Sequence, residues 1–167
     1  MVQESGFVFS PPNAEWFRFA DCPTYQKLCG AGISEMDFAY WDAPRDRLVL
    51  LEVKDYTGRE APSHLVNSLI AKGRDCLIML QSVWHRGAGT GASLCREVPE
   101  RFRLHSRLHL IFVLKVDDQT RMKPLNEMRD QLTWSIRAYT ALLGLEGNAT
   151  LMDQEKAFSL GLPLRSV

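Results

Sequence analysis

The chain has 167 residues, 46% of them hydrophobic, with 20 Lys and Arg set against 20 Asp and Glu. Formal neutrality removes any global field that would select a polyanion, so a nucleic-acid surface must come from local clustering of charge. The length suits one domain with a real core, residues 1–167, and no apolar run approaches the roughly 20 residues needed to span a bilayer.

Residues 7–19 are rich in aromatics around a Pro-Pro pair, which predicts a short strand, a turn, and then a strand or helix. Residues 24–29 read as a short helix ending at Gly30. ISEMDFAYW (33–41) and RLVLLEVKDYT (47–57) alternate and are rich in β-formers, predicting two strands joined by the turn chemistry of DAPRD. Residues 64–84 form a long helix, with Pro62 and Ser63 at its start and apolar positions at Leu65, Leu69, Cys76, Leu80 and Val83. The Gly-rich stretch 85–100 reads as a polar loop. RLHLIFVLKV (107–116) is a buried strand, 125–143 a second helix begun near Pro124 and stopped at Gly144, and 149–158 one more short strand. Hairpin, helix, strand, helix is an α/β order, with a central mixed sheet flanked by helices.

The opening residues, MVQESGFVFSPPNAEW, lack a basic start followed by an apolar stretch, so no signal peptide is expected. The four cysteines form no CxxC pair and are expected as reduced thiols of a cytoplasmic protein. No short-spaced Cys and His residues seed a zinc site, and His64, His85, His105 and His109 show no helical ligand spacing. GAGTGAS (87–93) follows a helix and lacks a GK[ST] ending, which excludes a phosphate-binding P-loop.

The hairpin raises a sharper question, because Glu52 and Lys54 interrupt an apolar strand. Side chains alternate between faces along a strand. Met36, Phe38 and Tyr40 then share one face with Val49, Leu51 and Val53, while Glu35, Asp37, Glu52 and Lys54 share the other. A four-residue loop, Ala43 to Asp46, would set Asp42 opposite Arg47, Asp37 opposite Glu52 and Glu35 opposite Lys54. Opposed residues have Cβ atoms about 5 Å apart, and two carboxylates there need a shared proton or a cation between them. A divalent metal with oxygen ligands is the simplest resolution, with Lys54 beside it. The same pattern fits an ordinary solvated face carrying Glu35–Lys54 and Asp42–Arg47 ion pairs, and the pattern alone does not choose.

An acid on one strand followed by (D/E)xK on the next resembles the PD-(D/E)XK nuclease superfamily. The signature here is Asp37, then Glu52-Val53-Lys54, with Met36 in place of the proline. YQKLCGAGISEMDFAYWD, RLVLLEVKDYTG and AKGRDCLIMLQ are similar to the front of EVKDY-type members of that superfamily, over roughly residues 20–84. The resemblance implies a restriction-endonuclease-like αβββαβ core and a nuclease hydrolysing phosphodiester bonds, DNA favoured over RNA. It implies Mg²⁺ or Mn²⁺ held by Asp37, Glu52 and the carbonyl of Val53, with Lys54 assisting the attacking water. A further acid would come from Glu35 or Glu15. With no appended recognition domain, specificity would come from a homodimer, a protein partner or the loops; no membrane partner is expected. The superfamily also contains inactive members, so the alternative is a nuclease-fold binding or scaffold subunit of a larger assembly.

Two cationic features complete the reading. Lys72 shares a helical stripe with Ser68, Asp75 and Met79 and either meets a substrate phosphate or forms an i,i+3 surface pair with Asp75. RFRLHSRLH (101–109) is the clearest basic run. On a strand, Arg101, Arg103 and Arg107 would share a face and line a nucleic-acid groove, or would simply guard a solvated edge. The groove is preferred, since an acidic metal site needs balancing charge before a polyanion approaches.

Overall fold

A computed structural model of the chain describes residues 1–11, 15–85, 88–104, 107–116 and 125–167. Strands β1 (Val2–Glu4) and β2 (Phe7–Phe9) form a hairpin whose turn residues, Ser5 and Gly6, have φ of 46° and 72°. Left-handed backbone at both positions matches the right-handed twist of the strands. A Cβ on Gly6 would also collide with Asp55 Oδ2, so glycine is required there twice over. Strand β3 (Trp16–Phe17) and helix α1 (Pro23–Leu28) follow. Then come β4 (Phe38–Asp42), β5 (Arg47–Asp55), helices α2 (Leu65–Trp84) and α3 (Thr90–Glu97), β6 (Leu108–Lys115), α4 (Leu125–Leu142), β7 (Gly147–Asp153), α5 (Gln154–Ser159) and β8 (Leu164–Ser166).

The main sheet has the order β3-β4-β5-β6-β7. β3, β4 and β5 are antiparallel to their neighbours, and β5, β6 and β7 run parallel. The parallel strands are linked through α2 and α4, and both helices pack on one face, burying Leu69, Leu77, Leu80, Leu132 and Ile136 against Leu48, Leu50, Leu110 and Phe112. The other face carries Phe38, Tyr40, Val49, Leu51, Val53, Ile111 and Val113. It is covered by Phe7, Phe9 and Leu164 of a second sheet, β1-β2-β8, and by Ala157 of α5. A mixed sheet flanked by helices is therefore what the chain forms, with a small extra sheet on the side away from the long helices.

Several sequence expectations need correction. Only two strands, β4 and β5, lie between α1 and α2, where an αβββαβ core has three; the third neighbour in the sheet, β3, precedes α1. Residues 85–100 are not all loop, because α3 forms over Thr90–Glu97. Leu94 and Val98, four apart and both buried, supply the packing that overrides weak local propensity. Gly91 permits close approach to Ser82 of α2. The last expected strand is shorter and earlier: β7 ends at Asp153, whose side chain accepts from Lys156 N at 2.8 Å and caps α5. Met36 does not share a face with Phe38 and Tyr40. The regular strand starts only at Phe38, and Met36 turns into the helical side, its N–H meeting Cys76 Sγ at 3.1 Å. Pro124 and His105 lie outside the described residues. Among the described residues, no helix is long and apolar enough to cross a membrane.

Candidate active site

The β4–β5 ladder has the expected register: Asp42 pairs with Arg47 and Phe38 with Leu51. Regular pairing stops one step short of Asp37 and Glu52, and their side chains take over. Asp37 Oδ2 accepts from Val53 N at 2.8 Å, which ties the segment before β4 to the end of β5. Two residues of α2 hold the same segment from the other side. Asp75 Oδ2 accepts from Ser34 N and Oγ, both at 3.0 Å, and Cys76 meets Met36 N. Asp75 is only 1% exposed, so its carboxylate is committed to this anchoring and to Arg74, which reaches Oδ1 at 2.7 Å. The expected Lys72–Asp75 surface pair is therefore not what forms.

Glu52 projects from β5 toward α2, in the pleat that also carries Leu48 and Leu50, and is 1% exposed. Lys72 descends from α2 to meet it. Lys72 Nζ lies 2.8 Å from Glu52 Oε1, 3.1 Å from Oε2 and 3.9 Å from Asp37 Oδ1. Lys54 Nζ lies 2.7 Å from Glu52 Oε1. Both ammonium groups are thus within ion-pair distance of Oε1, yet neither is aimed along a hydrogen bond to it; the directed bond from Lys72 goes to Oε2. Glu52 Oε1 is thus buried between two ammonium groups.

Burial, followed by the repulsion of Glu52, pushes the Asp37 carboxyl up to about 7; Lys72, the Val53 amide and Lys54 only partly oppose this. Desolvation works against the Lys72 ammonium, but Glu52 and Asp37 outweigh it and hold its pKa above the ordinary lysine value. Two carboxylates and two lysines are therefore packed into one partly dry corner at the C-terminal end of β5, where open α/β sheets place their ligands.

The two candidate accessory acids separate clearly. Glu35 is half-buried and close enough to raise the Lys72 pKa. Glu15 is exposed, and its backbone carbonyl accepts from Trp41 N at 3.1 Å, about 13 Å along β4 from Asp37. Val53 lies in the ladder opposite Val113 and gives its N–H to Asp37.

The basic run is not brought to this corner, nor onto one strand face. Arg101 and Arg103 sit in a single 3-10 turn, Glu100–Arg103, and Arg107 precedes β6. The Arg101 guanidinium stacks 3.9 Å over the Trp41 ring and reaches Asp46 at 3.2 Å. Arg103 donates to the carbonyls of Val98, at 2.7 Å, and Arg96, at 3.1 Å. Arg107 pairs with Glu146 at 3.3 Å, both exposed. All three belong to the end of the sheet where β5 begins, about 16 Å of strand from Glu52. The run is basic because these arginines hold loops and a helix end, a use that a count of charges does not distinguish from a groove.

What the sequence reading missed is the pair Asp75 and Cys76. The signal was an acid buried in the apolar stripe of a long helix, which demands a partner somewhere in the fold. The chain matches no family model, no curated protein and no solved structure.

Proposed function

We propose that the chain is a metal-dependent nuclease that hydrolyses phosphodiester bonds of nucleic acid, with DNA the preferred substrate and a restriction-endonuclease-like core. The observation that carries this reading is the convergence of Asp37, Glu52 and Lys54 at the C-terminal end of β5, with one point, now held by Lys72 Nζ, within 4 Å of both carboxylates. The α1, β4–β5 hairpin, α2 and parallel β6 sequence of elements supports the core assignment, with β3 as a third strand contributed from before α1.

The residues present fit a divalent cation. Two carboxylates face one position, and Glu52 Oε1 already draws two cations, Lys54 and Lys72, to 2.7 and 2.8 Å. Among the described residues no group of three or more acidic, His or Cys side chains surrounds that position, so the protein would supply the two carboxylates and the Val53 carbonyl, leaving substrate and water to complete the shell. Mg²⁺ or Mn²⁺ held there would polarise the phosphate and lower the pKa of a bound water. Lys54 would orient the attacking water and offset charge growing on the phosphate, while Lys72, released from Glu52, would face the same phosphate. Asp37, anchored through Val53 N, fixes the geometry of the pair.

One observation favours a second reading, a nuclease-fold binding or scaffold subunit without turnover. Lys72 already neutralises the carboxylates, so the corner is electrically complete without an ion. The deciding experiment is cleavage of single-stranded DNA, duplex DNA and RNA with Mg²⁺ or Mn²⁺, comparing the wild type with Lys54→Ala, Asp37→Asn and Glu52→Gln. Cleavage lost in all three variants supports the nuclease. If all four proteins are inert and millimolar Mn²⁺ leaves the melting temperature of the wild type unchanged, the scaffold reading stands.

A further inference from the structure

At the opposite end of the sheet, on the face away from the long helices, the three-stranded cover stops short. Pleat and register bring Tyr40, Asp42, Arg47, His109 and Thr150 to that uncovered corner, from four adjacent strands. Ile111 and Met152 form an apolar floor, and Leu160, Leu162 and Pro163 stand opposite as a second wall. The cleft encloses about 540 Å³, within the usual range for small-molecule sites.

We propose that this cleft binds a small amphipathic oxyanion, a phosphate or carboxylate carried on an apolar body about the size of one ring. Charge is the first argument. Arg45 Nη1 and Arg47 Nε both lean on a single oxygen of the buried Asp42, at 3.2 and 3.1 Å. Two guanidiniums against one carboxylate leave a positive charge uncompensated and further N–H groups to donate. Planar guanidinium forks match the oxygen pairs of phosphate and carboxylate.

His109 is the second argument, independent of the first. Its Nε2 is fixed by Thr150 Oγ1 at 2.8 Å, whereas Nδ1 is buried with no partner among the described residues. Burial, then the nearby arginines, lower its pKa to about 4, so the ring is neutral and carries one N–H. The Thr150 contact is compatible with either neutral tautomer, so Nδ1 either carries the proton or accepts one. Either way the fold leaves a polar ring nitrogen near Arg47 and Arg45 unsatisfied among the described residues, as expected of a wall that meets a polar ligand. The apolar floor and the Leu160–Leu162 wall then cover the rest of the ligand, which separates this site from a simple surface anion trap. The site does not depend on the nuclease reading, since it lies at the other end and on the other face of the sheet.

The test is titration of the full chain with phenyl phosphate, benzoate and inorganic phosphate, followed by NMR of the His109 ring and by isothermal calorimetry. Phenyl phosphate or benzoate should bind, shift the His109 resonances, and bind at least about tenfold more tightly than inorganic phosphate. Which of the two is tighter identifies the oxyanion. Arg45→Met should weaken the better ligand about tenfold, the scale of a lost charged hydrogen bond. Leu160→Glu, at an exposed position on the apolar wall, should weaken it through repulsion without touching an arginine. The proposal is overturned if neither aromatic probe binds at about 10 mM, if inorganic phosphate binds equally well, or if both variants bind like the wild type.

Discussion

Asp37 is where the physics of single residues is most exposed to measurement. Its carboxyl is held up to about 7 in the folded protein against 3.8 ordinarily. The folded state therefore keeps a proton that the unfolded chain has already released. Between about pH 4 and pH 7 this group makes stability fall as pH rises, by a total on the order of a few kcal/mol. His109 acts in the opposite sense, because its lowered pKa makes stability grow as pH rises from about 4 toward 6.5. The two slopes overlap, so the useful quantity is a difference. Asp37→Asn, which can still accept from Val53 N, should melt progressively higher than the wild type as pH is raised from 5 to 8. A constant gap between the two melting curves would show that Asp37 ionises normally. Lys72 is the main charge that lowers the Asp37 pKa, so Lys72→Met should move the Asp37 midpoint above about 7 in a carboxyl carbon NMR titration. An unchanged or lower midpoint would place Lys72 away from the carboxylates in solution.

At the scale of elements, the strands and long helices were legible because their hydrophobic period is carried by consecutive residues. Residues 64–84 and 107–116 contain α2 and β6 to within a residue or so at each end. Hairpin register was legible too, since burying Phe38, Tyr40, Val49 and Leu51 on one face forbids a one-residue slip and a four-residue loop selects among the rest. The elements that escaped are those whose stability is tertiary. Helix α3 is made by Leu94 and Val98 packing on neighbours, and Glu97 earns its place through space, accepting from Thr24 N at 2.9 Å at the start of α1. Local charge makes Arg103 resemble a phosphate ligand but says nothing of partners; it caps the carbonyls at the end of α3 instead. Arg103→Ala should therefore cost about 1 kcal/mol of stability, seen as a lower melting temperature. If the chain binds DNA as proposed, Arg103→Ala in a Glu52→Gln background should leave the salt slope of binding unchanged, whereas loss of one phosphate contact would reduce that slope by about 0.9.

On the scale of the whole molecule, the carboxylate–lysine corner and the arginine–histidine cleft occupy opposite ends and opposite faces of one sheet. The sequence pointed to the first because its residues cluster around a hairpin and one helix. The second is assembled from β4, β5, β6, β7 and the stretch after α5, and no local motif announces it. The covering sheet is the most non-local feature of all: β2, near one end of the chain, pairs with β8, near the other, Phe9 against Leu164. Such a pairing pays the full loop-closure entropy of the intervening chain before it returns any contact energy. It is therefore expected to form late, after β5, β6, α2 and α4 have condensed through their shorter connections. The same ordering holds in reverse at equilibrium, so β1, β2 and β8 should open together as a low-energy unit while the helical side stays closed. In native-state hydrogen exchange, the amides shared by β2 and β8 should exchange well before those of β5 and β6; equal protection would mean that both layers unfold as one. A growing chain would then leave the second edge of β2 unpaired, and the docking of Phe7 and Phe9 on Phe38 and Tyr40 unsupported, until residues 164–166 emerge.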